Sequence, residues 1–113
     1  PPRSTLDRSS AASDVYKRQH LYAFYDPKTD TVFLNKDFDI HDPFHKGVLL
    51  HELIHYVQDN NDVVGPNKPF ECVRAMEEEA YPLQKKYMLE VHGVNWKYDE
   101  LWVKLLSSCE DLY

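Results

Sequence analysis

The sequence predicts an α+β domain in which a β-hairpin is followed by three helices, and three observations predict it. From His20, the runs LYAFYD and TVFLNK, rich in aromatic and β-branched residues, flank the turn-forming PKTD. Residues 43 to 60 carry apolar side chains most of the way round a helical period. Beyond residue 69, one stretch repeats apolar residues at alternating three- and four-residue intervals and a further one carries a similar helical apolar face.

Each element has a local reason. Pro27 and Asp30 supply the chemistry of the hairpin turn. In FDIHDPF, Asp42 is placed to cap a helix and Pro43 to occupy its first turn, where a missing N–H does no harm. That first helix, residues 43 to 60, bears Val48, Leu49, Leu50, Leu53, Ile54 and Val57, so it is expected to be central and buried. Asn60, Asn61, Gly65 and Pro66 then break the period in a surface loop. A second helix is expected over residues 69 to 92, with Val73, Met76, Ala80, Leu83 and Tyr87 on its buried face, Gly93 as its stop and Pro82 bending it. A third, residues 98 to 112, repeats the pattern through Leu101, Trp102, Leu105, Leu106 and Cys109.

Composition bounds the function. At 113 residues, 42% hydrophobic and 28% charged, the chain is the size of one soluble globular domain with one core. Its net charge of -6, with no basic cluster longer than Lys85-Lys86, argues against nucleic acid or an anionic membrane as the main partner. No apolar run approaches the roughly 20 residues of a membrane span; the longest, Gly47 to Leu50, ends at His51.

Residues 1 to 19 open on Pro1, show no periodicity, and include SDVYKRQ, which resembles translated adapter sequence. They are expected to be a non-native or disordered head, with the native N-terminus missing and residues 20 to 113 forming the domain. Cys72 and Cys109 allow at most one disulfide and lie in no CxxC pair. A clip and two buried thiols both remain open; a disulfide implies an oxidising, secreted or periplasmic compartment.

The first helix carries His51, Glu52 and His55 as HELIH, a form of HExxH. Residues four apart share a helix face, so His51 and His55 can aim two imidazoles at one ion, with Glu52 about 100° round the axis beside its open side. Zinc takes neutral imidazole readily, and three protein ligands leave a fourth position for a water acidified to a pKa of roughly 7. Glu52 is the expected general base, passing a proton from that water to the leaving amine. Two histidines and a glutamate inside an apolar helix are costly without partners or a metal.

The third ligand is expected from Glu77-Glu78-Glu79, which begins 22 residues after His55. Glu77 lies beside Met76 and three residues before Ala80, Glu78 falls on the far side and Glu79 between them, so periodicity favours Glu77. The plain alternative is a solvated charge run.

HELIHYVQ followed by EEEAY resembles the gluzincin metallopeptidases, in which a glutamate from a later helix completes HExxH. The nearest likeness is to small gluzincin-like domains of unknown function with the pattern HExxHxxQ, Cys, Glu-x-x-Ala-Tyr, Cys. His51, Glu52, His55, Gln58, Cys72, Glu77, Ala80, Tyr81 and Cys109 match it, over residues 20 to the end. The resemblance implies zinc, a zincin-like fold and a Cys72 to Cys109 disulfide, and brings no substrate.

Some residues carry smaller expectations. Gln58 shares the face of His51 and His55 and could orient a ligand, or make an ordinary buried amide bond. Tyr81 could donate to a tetrahedral oxyanion or simply pack in the core. His41 and His45, in HDPFH, could offer an extra ligand, with His45 on the exposed first turn. The expected activity is peptide-bond hydrolysis by Zn2+, with His51, His55 and Glu77 as ligands, Glu52 and Tyr81 as catalytic candidates and a peptide or protein substrate that adds along the edge strand TVFLNK. The alternatives are a non-catalytic zinc-binding module and an inactive fragment of a larger peptidase. Oligomeric state is not legible.

Overall fold

A computed structural model describes residues 22–110. Strand β1 (Ala23–Asp26) pairs antiparallel with β2 (Thr31–Leu34), setting Ala23 opposite Leu34 and Tyr25 opposite Val32. Asp30 closes the turn at φ 54°, a left-handed conformation that a short polar side chain tolerates. The hairpin and three helices expected from the sequence are present, and the fold is α+β.

Helix α1 (Pro43–Asp59) starts as its sequence requires, with the Asp42 carboxylate accepting from the backbone N–H of Phe44 at 2.8 Å. Its burial differs from expectation. The residues it buries are His45, Gly47, Val48, His51, Glu52 and Gln58, whereas Leu53 and Val57 are 42% and 55% exposed. The polar face turns inward because the hairpin and the next helix close over it, and part of the apolar face is left to solvent. His45, expected on an exposed turn, is buried: its ring stacks on Tyr22 with centroids 3.8 Å apart, and its Nδ1 accepts from the Asp39 N–H at 2.8 Å.

The second helix begins later than its pattern indicated. Residues 69–72 are not helical; Val64 and Phe70 form an isolated bridge, and Cys72 is extended at φ -145°. A 3₁₀ turn (Val73–Met76) then leads into α2 (Glu77–His92), which Gly93 ends in the left-handed conformation at φ 68°. The inward face of α2 is Ala80, Tyr81, Gln84 and Met88. Met76 and Ala80 are buried as expected, but Val73 and Leu83 are 67% and 41% exposed, so beyond Ala80 the buried stripe moves one residue on, to Tyr81, Gln84 and Met88. Helix α3 (Glu100–Leu106), capped by the Asp99 carboxylate on the Trp102 N–H, is shorter than expected because Cys109 leaves the helix to form a disulfide with Cys72. Residues 1–21, including the expected head, and residues 111–113 lie outside the described residues.

The two long helices meet closely at Gly47. A Cβ there would stand 2.7 Å from Met88 Sδ and 3.4 Å from Gln84 Nε2. Any larger residue requires the Met88 side chain to shift, one turn before His51. On the other side of Tyr81, Trp96 and Tyr98 complete an aromatic cluster, with ring centroids 6.4 Å and 5.2 Å from the Tyr81 ring. Among the described residues no helix is long and apolar enough to cross a membrane.

Candidate metal centre

Helix α1 sends His51 and His55 toward the first turn of α2, and Glu77 meets them there. One oxygen, Glu77 Oε1, lies 2.9 Å from Nε2 of His51 and 2.9 Å from Nε2 of His55. The site is enclosed: His51 is 1% exposed, and the Glu77 and His55 side chains are 13% and 16% exposed.

The far side of each ring is also held. Gln58 Nε2 donates to Met76 O at 3.1 Å and to Glu79 Oε1 at 2.9 Å, so its amide oxygen is the atom turned to His55 Nδ1, 2.8 Å away. The Gln84 amide oxygen stands 2.9 Å from His51 Nδ1. Both Nδ1 atoms therefore carry hydrogen, and in the neutral rings both Nε2 atoms present lone pairs to Glu77. Three electron-rich atoms then converge with no hydrogen to share, an arrangement that needs either protons on the rings or a cation among them.

Without a cation, the proton on His55 is favoured. Burial works against the imidazolium of His55, but the hydrogen bond and charge of Glu77 outweigh it and push the ring up to about 9. Burial likewise works against ionised Glu77, but hydrogen bonds from His51 and His55 hold its carboxyl well below the usual carboxylate range.

The donor set fits zinc. Bonds of about 2.0–2.1 Å at tetrahedral angles place ligand atoms about 3.3 Å apart, so the 2.9 Å separations need to open by only about 0.4 Å. Two imidazoles and a carboxylate, each ring braced by an amide, are the ligand type and support that catalytic zinc sites use.

Glu52 completes the cluster. One of its oxygens and ring nitrogens of His51 and His55 all lie within 4.8 Å of one another. Its Oε1 accepts from the backbone N–H of Tyr25 at 2.8 Å, which turns that oxygen toward β1, while Glu77 touches both rings. Of the two carboxylates, Glu77 is the one that contacts both rings, while Glu52 lies beside them. Burial pushes the Glu52 carboxyl up, against the opposing charges of His51 and His55.

The other candidates fall as follows. Glu78 is exposed, and Glu79 accepts from Gln58 rather than reaching the rings. Tyr81 is fully buried and packs edge-on to His51, with centroids 4.5 Å apart. His41 is exposed, and His45 is engaged by Asp39 and Tyr22. The strand beside Glu52 is β1, not the expected TVFLNK, because β2 is the outer strand of the hairpin as seen from α1. The sequence reading missed two groups: the backbone of Tyr25, which no residue pattern marks, and Gln84. The apolar period put Leu83 inward, but counting from Glu77 instead sets Tyr81, Gln84 and Met88 four, seven and eleven residues on, along one stripe. A shallow groove lined by Glu78, Pro82, Tyr98, Glu100, Val103 and Lys104 contains none of the centre's residues.

Fold and site together define an α+β domain whose central helix brings two histidines and a glutamate against a second glutamate at the start of the next helix. The chain belongs to the family described as Domain of unknown function (DUF6647), which matches residues 2–112. No curated protein and no solved structure matches the chain.

Proposed function

We propose that this domain is a zinc-dependent peptidase of the gluzincin type, with His51, His55 and Glu77 as metal ligands and Glu52 as general base. The observation that carries the proposal is the convergence of both Nε2 atoms on one Glu77 oxygen, with Glu52 alongside. A zinc ion held there supplies the Lewis acidity that polarises a peptide carbonyl and acidifies a water to a pKa of roughly 7.

The remaining work falls to the chain. Glu52 takes a proton from the attacking water as its oxygen bonds to the carbonyl carbon. It then delivers that proton to the amide nitrogen as the C–N bond breaks, releasing an amine and a carboxylate. A carboxyl whose burial favours the protonated form suits a group that must hold a proton between these steps. An extended peptide lying along β1 passes the Tyr25 backbone and brings its carbonyl beside Glu52. Tyr81, fully buried against His51, braces the ligand ring rather than meeting the substrate.

The test is hydrolysis of a peptide library by the zinc-loaded protein and by its Glu52→Gln variant. Cleavage that a chelator stops, zinc restores and the variant lacks while retaining zinc supports the proposal. The burial of His51 and Glu52 favours a second reading, a metal site that only braces the fold. Full zinc occupancy with no cleavage of any library peptide would support that reading instead.

A further inference from the structure

We infer that Gln84 is a positioning residue of the metal centre: its amide oxygen holds the Nδ1–H of His51 and so presents Nε2 as the metal-binding nitrogen. The inference rests on the metal reading of the site and adds to it the group that fixes its most buried ligand. Gln84 is 0% exposed and seven residues after Glu77, so α2 delivers a ligand and a ligand brace from one face, two turns apart. The 2.9 Å contact joins α2 to α1 across 33 residues of chain. Gln84 lies beside the close approach at Gly47, where an added Cβ would stand 3.4 Å from Gln84 Nε2 and 2.7 Å from Met88 Sδ.

Which nitrogen of a histidine binds metal is set by the hydrogen bond that the other nitrogen makes. His55 has its brace on its own helix, from Gln58 three residues on. His51 has none within α1, and Gln84 supplies one from the facing helix. Glu52 and Glu77 already place two acidic groups in the enclosed site, so a neutral amide braces the ring without adding a third buried anion to the metal-free protein.

The experiment compares the full chain with Gln84→Leu, which removes the acceptor at similar size, and Gln84→Glu, which keeps an oxygen there. Zinc affinity is read by chelator competition, and the His51 Nδ1–H by ¹H–¹⁵N spectra with and without zinc. Expected are zinc binding 10–100-fold weaker in Gln84→Leu, affinity near that of the unmodified chain in Gln84→Glu, and a solvent-protected Nδ1–H that Gln84→Leu loses. Unchanged affinity in Gln84→Leu, or equal loss in both variants, would overturn the inference. If the unmodified chain takes up no zinc but shows the protected Nδ1–H, and Gln84→Leu loses it, the metal reading fails and the hold of Gln84 on His51 stands.

Discussion

A part-buried hydrogen bond to the Tyr25 backbone separates the structural role of Glu52 from its chemical one. Its Oε1 accepts from the Tyr25 N–H at 2.8 Å. Glu52→Gln keeps an acceptor oxygen there, whereas Glu52→Ala leaves that N–H without this partner, at a cost of about 1–3 kcal/mol. Urea unfolding should therefore show Glu52→Gln within about 1 kcal/mol of the unmodified chain and Glu52→Ala clearly less stable. Equal losses would mean that the Tyr25 contact contributes nothing.

His55 carries a pH prediction for the metal-free protein. Its folded value of about 9 stands above the ordinary 6.5 of an imidazole. The stability gained from the protonated ring is thus complete below pH 6.5 and is lost as pH rises through about 9. Glu77, held below its ordinary 4.5, contributes stability that is present above that value and lost as pH falls below it. With chelator present, the melting temperature should drop between pH 6.5 and 9, while zinc affinity should rise over the same interval because the cation displaces ring protons. A chelated protein whose melting temperature stays flat across this interval would contradict the His55–Glu77 pairing. At this scale the sequence was informative where chemistry dictates spacing: His51, Glu52 and His55 follow from four-residue periodicity, and Glu77 from its place beside Met76. Gln84 was not legible, because an amide on a helix has no pattern of its own and the neighbouring Leu83 drew the apolar face toward itself.

At the scale of elements, the delivery of Glu77 depends on how α2 begins. The pattern Val73, Met76, Ala80 read as continuous helix, yet the chain reaches Glu77 through a 3₁₀ turn that starts at the disulfide-bonded Cys72. The disulfide ties that turn to the segment after α3, 37 residues away. A double Cys72→Ser, Cys109→Ser variant should lose about 2–4 kcal/mol of stability by chain entropy. It should also bind zinc more weakly, since the turn that presents Glu77 loses its anchor. A destabilised variant with unchanged zinc affinity would show that α2 packing alone sets the ligand. Spacing left the pairing of two cysteines open, and neither that pairing nor the loss of helix before residue 73 could be read from local propensity, because both depend on contacts between distant segments.

Across the whole molecule, hydrophobic periodicity gave the element order correctly and the orientation of the central helix incompletely. Apolar residues most of the way round α1 implied full burial, but the helix turns inward its polar side, with His51, Glu52 and Gln58 buried and Val57 exposed. The reason is energetic. The polar groups inside are satisfied by one another and by α2, the 3₁₀ turn before it and β1, through Gln84, Glu77, Met76 and Tyr25, so their burial is tolerable. If zinc binds there as proposed, the domain should gain about 2.7 kcal/mol of stability when free zinc is a hundred times its dissociation constant.

The most direct test is the zinc content of the purified chain by elemental analysis, alongside His55→Ala and Glu77→Ala. One zinc per chain is expected in the unmodified protein, lost or sharply reduced in both variants while each remains folded by circular dichroism. A folded, unmodified chain without zinc, or variants that keep full occupancy, would contradict the three-ligand centre.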